Sequence, residues 1–296
     1  MDIGPQETTE ARSADVRGLP KPYYEHAGIV IYNCDCREIL AHLPPVDLVF
    51  TSPPYNLGGA PWPHLGHWKP GDSPGGKSKW RNGSDGSGGV TYASHADTMP
   101  HLEYVEWQRE VLRACWSSIS TDGAIFYNHK PRVIGGKLWL PLELNPDLPV
   151  RQIVIWARAG GMNFNPTAYV PTYEWLVIFA KPDFRLRSKG ASGTGDVWFI
   201  PQEANPNHPA PFPVALPFRA INTAISIHKK PALIVDPFSG IGSTLMAAKS
   251  CGHRAIGIEI EEKYCEIAAK RLSQEVFDFA AAPPPPEQTT LIGGAQ

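Results

Sequence analysis

One stretch near the carboxyl end allows few folds. Ala232-Leu233-Ile234-Val235-Asp236 is an apolar run of strand length that ends in an acid. A glycine-bearing turn follows, Pro237-Phe238-Ser239-Gly240-Ile241-Gly242-Ser243-Thr244, and Leu245 to Ser250 begins a helix. Arg254 to Glu259 is a second strand ending in an acid. Strands without polar alternation are buried on both faces, as in parallel sheets flanked by helices. Strand, turn, helix, strand is a βαβ unit, whose ligands bind at the strands' carboxyl ends. Gly240 and Gly242 allow a tight turn and a close approach of backbone to ligand. Glu259, about 20 residues past the turn, is placed to accept hydrogen bonds from ribose hydroxyls. Leu245 stands where the third glycine of a dinucleotide fingerprint would be. That argues against a nicotinamide or flavin and for an adenosine ligand without pyrophosphate.

A second unusual stretch is Thr51-Ser52-Pro53-Pro54-Tyr55, after the apolar run Val46 to Phe50. Two prolines forbid helix and remove two backbone donors, leaving a stiff turn with outward carbonyls at another strand end. Gly28 to Tyr32 reads as a strand and Arg37 to Leu43 as a short helix. Asp35 between them either caps that helix or faces a ligand. His101 to Ser120 has helical apolar spacing, and Gly123 to Tyr127 reads as a strand. Gln152 to Trp156 and Glu174 to Phe179 read as an antiparallel pair at a sheet edge. A helix after Pro209–Pro213 runs through Ile227, and an amphipathic helix runs from Glu261 to Phe279.

Composition sets further bounds. The 296 residues carry a net charge of -2, so any surface for a polyanion is local. Lys77, Lys79 and Arg81 lie among tryptophans in the segment 56–100, which has ten glycines and no periodicity. It reads as a mobile loop over the Pro-Pro turn that contacts nucleic acid. Lys181 to Lys189 carries four positive charges and one negative. Arg185, Arg187 and Lys189 in it are candidates for phosphate contact. The five cysteines show no disulfide framework, and no second pair with zinc spacing accompanies Cys34 and Cys36. No metal is expected. With no leader or bilayer-length apolar run, a soluble cytoplasmic protein without membrane contact is expected.

The two motifs together resemble the amino-methyltransferases of DNA, over about Gly28 to Leu272. The Ser-Pro-Pro-Tyr stretch precedes the glycine turn, as in the permuted β group. The resemblance implies a Rossmann-like methyltransferase fold: a mostly parallel sheet, an antiparallel edge hairpin, and helices on both faces. It implies S-adenosylmethionine as cofactor, held by Asp35, Cys36, Phe212, Asp236, Phe238, Ser239, Gly240, Gly242, Thr244 and Glu259. It implies double-stranded DNA as partner, in a bacterial, archaeal or phage-encoded protein. Permuted enzymes often dimerise, and no residue pattern here demonstrates it. The domain is expected over 23–279, between an arm at 1–22 and a tail at 280–296, with target recognition in 181–208 and at Asn163.

The catalytic expectation follows from the amine's chemistry. Its lone pair is delocalised into the base. Ser52 Oγ and the Pro53 carbonyl, fixed by Pro53-Pro54, can accept its hydrogens and free the nitrogen to attack. The base must leave the duplex, and Tyr55 is placed to stack on it. That role does not require the Tyr55 hydroxyl. Within the family, Ser at the position of Ser52 is more typical of N4-cytosine enzymes, with N6-adenine the alternative. An RNA or protein-amide methyltransferase and an inactive DNA-binding protein are the competing readings.

Overall fold

The computed structural model describes residues 19–56, 99–134, 136–158, 168–203, 212–225 and 231–274. Among these, eleven strands and five α-helices follow one another along the chain. The strands are β1 (Tyr24–His26), β2 (Ile29–Asn33), β3 (Val46–Thr51), β4 (Ile119–His129), β5 (Arg132–Ile134), β6 (Lys137–Trp139), β7 (Val150–Ala157), β8 (Tyr173–Ala180), β9 (Val197–Phe199), β10 (Leu233–Asp236) and β11 (Arg254–Glu259). The helices are α1 (Cys36–Leu40), α2 (His101–Ser118), α3 (Ala215–Ala224), α4 (Ser243–Ser250) and α5 (Glu262–Ser273).

Nine strands form one sheet in the order β1-β2-β11-β10-β3-β4-β8-β7-β9, and β5 and β6 make a separate hairpin. From β2 to β4 every neighbour is parallel. β8 then pairs antiparallel with β4, and β7 antiparallel with β8. The expected antiparallel hairpin is present, but it is not the edge. β9 pairs parallel with β7 outside it, so part of the segment expected to be irregular joins the sheet. β1 closes the opposite edge antiparallel to β2.

The parallel strands are apolar on both faces because helices cover both. Leu48 and Phe50 of β3 face the side packed by Leu216 and Ala220 of α3, Leu245 of α4 and Ala268 of α5. Val49, between them, faces Ile39 of α1 and Leu112 of α2. In α2 the buried residues Tyr104, Val105, Val111, Leu112 and Cys115 recur at helical spacing, as the sequence periodicity predicts. No helix among the described residues is long and apolar enough to cross a membrane.

The glycine turn sits at the carboxyl end of β10, beside the end of β3. Gly240 and Gly242 both have positive φ, at 49° and 81°. A Cβ on Gly242 would stand 3.1 Å from Cβ of Ala268, so this glycine lets α4 approach α5 as well as shaping the turn. Gly257 in β11 is tighter still. A Cβ there would lie 2.7 Å from Leu245 Cδ1 and 2.9 Å from Ser239 Cβ. Replacing Gly257 with Ala should therefore cost about 1–3 kcal/mol of stability. Gly195→Ala, with open space around it, should be near neutral. Denaturant midpoints of the two variants check this, and equal midpoints would contradict the packing described.

Candidate active site

β3 and β10 are hydrogen-bonded neighbours, and both end at the same edge of the sheet. Their last side chains lock together. Thr51 Oγ1 donates to Asp236 Oδ1 at 2.8 Å, and Thr244 Oγ1 donates to Oδ2 at 2.6 Å. The backbone N–H of Phe238 adds a third bond at 3.1 Å. Asp236 has no exposed surface. Burial pushes its carboxyl up to about 6, against the opposing pull of the bonds from Thr244 and Thr51. These partners make Asp236 the clasp between the Pro-Pro turn and the glycine turn, rather than an open acceptor for a ligand.

Glu259 plays a related part at the end of β11. Its Oε2 accepts from the Gly240 N–H at 2.8 Å and its Oε1 from the Glu261 N–H at 2.9 Å. Burial raises it to about 7, partly offset by those two bonds. Each oxygen retains a second lone pair for a hydroxyl. Beside it, Ser239 Oγ is buried without a hydrogen-bond partner among the described residues. An unpaired hydroxyl is costly in a native interior unless a ligand or water completes it. The turn, this orphan hydroxyl and the acceptor-rich Glu259 together fit an adenosine-bearing cofactor.

The remaining cofactor candidates divide. Asp35 caps α1 by accepting from the Arg37 N–H at 2.9 Å, and it also forms an ion pair with the Arg37 guanidinium at 2.7 Å. The side-chain bond to Arg37 holds its carboxyl below the usual range. Phe212 packs its ring against Phe50 at 5.6 Å, and its carbonyl accepts from Ser243 Oγ at the start of α4. Phe238 meets Trp107 edge-on at 5.5 Å. Cys36 is the most enclosed of these remaining candidates. It is 4% exposed in the core beneath α1 and α2, so its place in the fold is apolar packing.

The Pro-Pro turn is braced from below. The Tyr104 hydroxyl donates to the Pro54 carbonyl at 2.8 Å and lies 2.8 Å from His129 Nε2. His129 Nδ1 accepts from the Lys130 N–H, which places the ring proton on Nε2, toward Tyr104. Burial, with Arg132 nearby, drives His129 down to about 3, so the ring is neutral. No described residue donates to the Pro53 carbonyl. Asn56, with φ of 55°, donates to the Met99 carbonyl at 2.8 Å and ties together the two ends of the intervening segment.

Tyr55 stacks on His129 with ring centroids 4.3 Å apart. Its hydroxyl is not idle, contrary to the sequence expectation. It lies 3.0 Å from Ser52 Oγ and donates to Glu174 Oε2 at 2.9 Å. Asn128 Nδ2 reaches Ser52 Oγ at 3.2 Å, the Tyr55 hydroxyl at 2.8 Å and Glu174 Oε2 at 2.9 Å. Glu174 Oε1 pairs with Arg158 Nη1 at 3.1 Å, and both side chains are largely buried. Asn128, His129, Glu174 and Arg158 were missed from the sequence. Glu174 left one signal there, as an acid heading an otherwise apolar strand.

The basic candidates do not converge on this cluster. Arg187 pairs with Asp122 at 2.6 Å, and Arg185 donates to the Pro182 and Phe184 carbonyls. Asp122 lies in the amino-terminal half of β4, whereas Asn128 and His129 close its carboxyl end. Lys189 is exposed on the same run. Arg185 and Arg187 thus have intramolecular partners, and neither joins the Ser52 cluster. The part of this segment that returns toward the site is β9, where Phe199 pairs with Ala157 and is 79% exposed. Lys77, Lys79, Arg81 and Asn163 lie outside the described residues, as does most of the loop expected over 56–100.

Known proteins resemble this chain in sequence and in fold. A family model described as DNA methylase, for N6 and N4 methyltransferases, matches residues 46–270. The Type II methyltransferase M.ScaI of Streptomyces caespitosus is 28% identical, over 90% of this chain and 88% of its own. The Type II methyltransferase M.BglII of Bacillus subtilis is 25% identical, over 83% of this chain and 69% of its own. Among solved structures, the PvuII DNA methyltransferase, described as cytosine-N4-specific, shares the fold with a TM-score of 0.63. It is 17% identical, over 86% of this chain and 90% of that one. A Thermus thermophilus protein solved with S-adenosyl-L-methionine shares it with a TM-score of 0.56. It is 22% identical, over 84% and 95% of the two chains. The chain belongs to the N6/N4 DNA methylase family and is an S-adenosylmethionine-dependent DNA methyltransferase.

Proposed function

We propose that the chain methylates the exocyclic amine of a base extruded from double-stranded DNA, with N4 of cytosine as its target. The observation that carries this reading is the clasp of Thr51 and Thr244 on Asp236. It brings Ser52 and the Pro53 carbonyl beside the turn that suits the cofactor. The base assignment rests on Ser52 and on the shared fold with a protein described as cytosine-N4-specific. N6 of adenine is the alternative, since the family includes both. The bacterial relatives and a DNA substrate favour action in the cytoplasm of a bacterial cell.

When bound, the cofactor supplies an electrophilic methyl group on a sulfonium. The chain's own work is to orient the nucleophile. Ser52 Oγ and the Pro53 carbonyl accept the two amine hydrogens and draw the nitrogen toward tetrahedral geometry. The Pro53-Pro54 turn, braced by Tyr104, holds these acceptors still. Tyr55 offers the ring face not covered by His129 to the extruded base. Glu259 accepts the ribose hydroxyls with the lone pairs that Gly240 and Glu261 leave free. Asp35, just past the end of β2, would have to share its carboxylate between Arg37 and the cofactor. The exposed Phe199 and the segment around Asn163 are the proposed readers of flanking sequence.

Label transfer to duplex DNA, followed by digestion to nucleosides and mass spectrometry, tests this reading. N4-methylcytosine is expected, and Ser52→Ala should lower kcat by about a hundredfold. N6-methyladenine would overturn the base assignment, and transfer to RNA or protein in place of DNA would overturn the substrate. Cofactor affinity supplies a second check. Glu259 ionises in the folded chain near pH 7, and only the carboxylate offers both oxygens as acceptors to ribose hydroxyls. Calorimetric affinity for S-adenosylmethionine should therefore strengthen as pH rises from about 6 to about 8. Glu259→Gln should bind more weakly and lose that slope, whereas a slope unchanged in Glu259→Gln would remove Glu259 from the role.

A further inference from the structure

We infer that Glu174 is a positioning residue for the transfer step: its carboxylate dictates which way the Ser52 hydroxyl points. The inference rests on the reading of Ser52 as an acceptor for the amine. A serine hydroxyl is ambiguous in that role. It can accept an amine hydrogen, or it can donate its own proton to the nitrogen lone pair and block attack. Ser52 alone has no means of choosing.

The cluster beneath it removes the choice. The Glu174 carboxylate has no proton to give and can only accept. The Tyr55 hydroxyl, 2.9 Å from Oε2, must donate to it. With its proton committed, the Tyr55 oxygen is an acceptor toward Ser52, 3.0 Å away. The Ser52 proton is therefore drawn inward, onto Tyr55. Asn128 closes the alternative path. Its Nδ2 lies 2.9 Å from Glu174 Oε2, a contact that only the amide nitrogen makes favourably. Its two hydrogens serve Glu174 Oε2 and, at 2.8 Å, the Tyr55 oxygen, and toward Ser52 Oγ, 3.2 Å away, Nδ2 offers no acceptor that could compete with Tyr55 for the Ser52 proton. With its proton on Tyr55, Ser52 Oγ retains a lone pair with which to accept an amine hydrogen. Cooperative bonding along such a chain also strengthens the terminal acceptor.

Arg158 completes the arrangement. It engages the other carboxylate oxygen, Oε1, at 3.1 Å, which leaves Oε2 to the hydroxyl chain. Arg158 is itself anchored, its backbone N–H donating to Thr172 O at 2.8 Å and its Nη2 to Pro171 O at 3.2 Å. Glu174 reaches this position because β8 runs antiparallel to β4. The register opposes His129 to Trp175 and Asn128 to Leu176, so the head of β8 lies at the level of the Pro-Pro turn.

Glu174→Gln preserves shape but adds a donor, so the hydroxyl chain can reverse. Single-turnover methyl transfer by the full chain on duplex DNA should slow about tenfold or more, with KM for DNA and cofactor within about twofold of wild type. The decisive readout is a double-mutant cycle with Ser52→Ala. Because Glu174 acts through the Ser52 hydroxyl, adding Glu174→Gln to Ser52→Ala should change the rate less than about twofold. Independent, multiplying losses would overturn the inference, as would a change in KM alone. Should Glu174→Gln misfold because Arg158 loses its partner, Tyr55→Phe interrupts the same chain with the ion pair intact. It should show the same loss in kcat and the same silence in the Ser52→Ala background, and full activity of Tyr55→Phe would overturn the inference. If Ser52→Ala itself is as fast as wild type, the reading of Ser52 fails instead.

Discussion

A buried carboxylate accepting from two threonines joins the halves of this enzyme. Thr51 closes β3 and Thr244 lies in the first turn of α4, far apart in the sequence, and both donate to Asp236. Burial alone would penalise such a charge heavily. Here each oxygen has a short bond and a backbone N–H adds a third, so the group is satisfied without any ligand. The relative placement of the Pro-Pro turn and the glycine turn is thereby set within the chain itself. Sheet order reinforces it, since β3 and β10 are adjacent despite their separation in the chain.

Around this clasp the polar groups fall into two classes. Those facing the cofactor turn are acceptors with capacity to spare, led by Glu259 and the unpaired Ser239 hydroxyl. Those beneath the Pro-Pro turn bond chiefly to one another, and Asn128 Oδ1 alone of the group is left without a partner among the described residues. Tyr104 and His129 brace the Pro54 carbonyl, while Tyr55, Asn128 and Glu174 engage Ser52. A neutral His129 suits this second class, because a charged ring beside Arg132 would lack a compensating anion. The Pro-Pro turn is thus held by a bonded network, whereas the glycine turn keeps acceptors to spare.

Much of the fold was legible because its signals are local. The glycine turn between two apolar strands, and the serine and prolines after another, each occupy a few consecutive residues and carry their meaning at short range. The helical spacing of α2 was equally plain. Asn128, Glu174 and Arg158 were not legible, because only the antiparallel register of β4, β8 and β7 brings them under Ser52. Gly242 was read as ligand clearance, whereas its neighbour is Ala268 on another helix. The basic run from Lys181 was legible as charge but not as placement. Clustered charge shows that a segment is polar, but not which end of a sheet it meets, and Arg187 meets Asp122.

The central claim is that these two joined motifs methylate an amine in DNA, with Ser52 orienting it. Single-molecule sequencing of chromosomal DNA tests it most directly, using a methylation-free host that expresses either the wild-type chain or Ser52→Ala. The account predicts a modified base at one short recurrent sequence in the first host, and its near-complete disappearance in the second. An unmodified genome in the first host, or undiminished modification in the second, would contradict it.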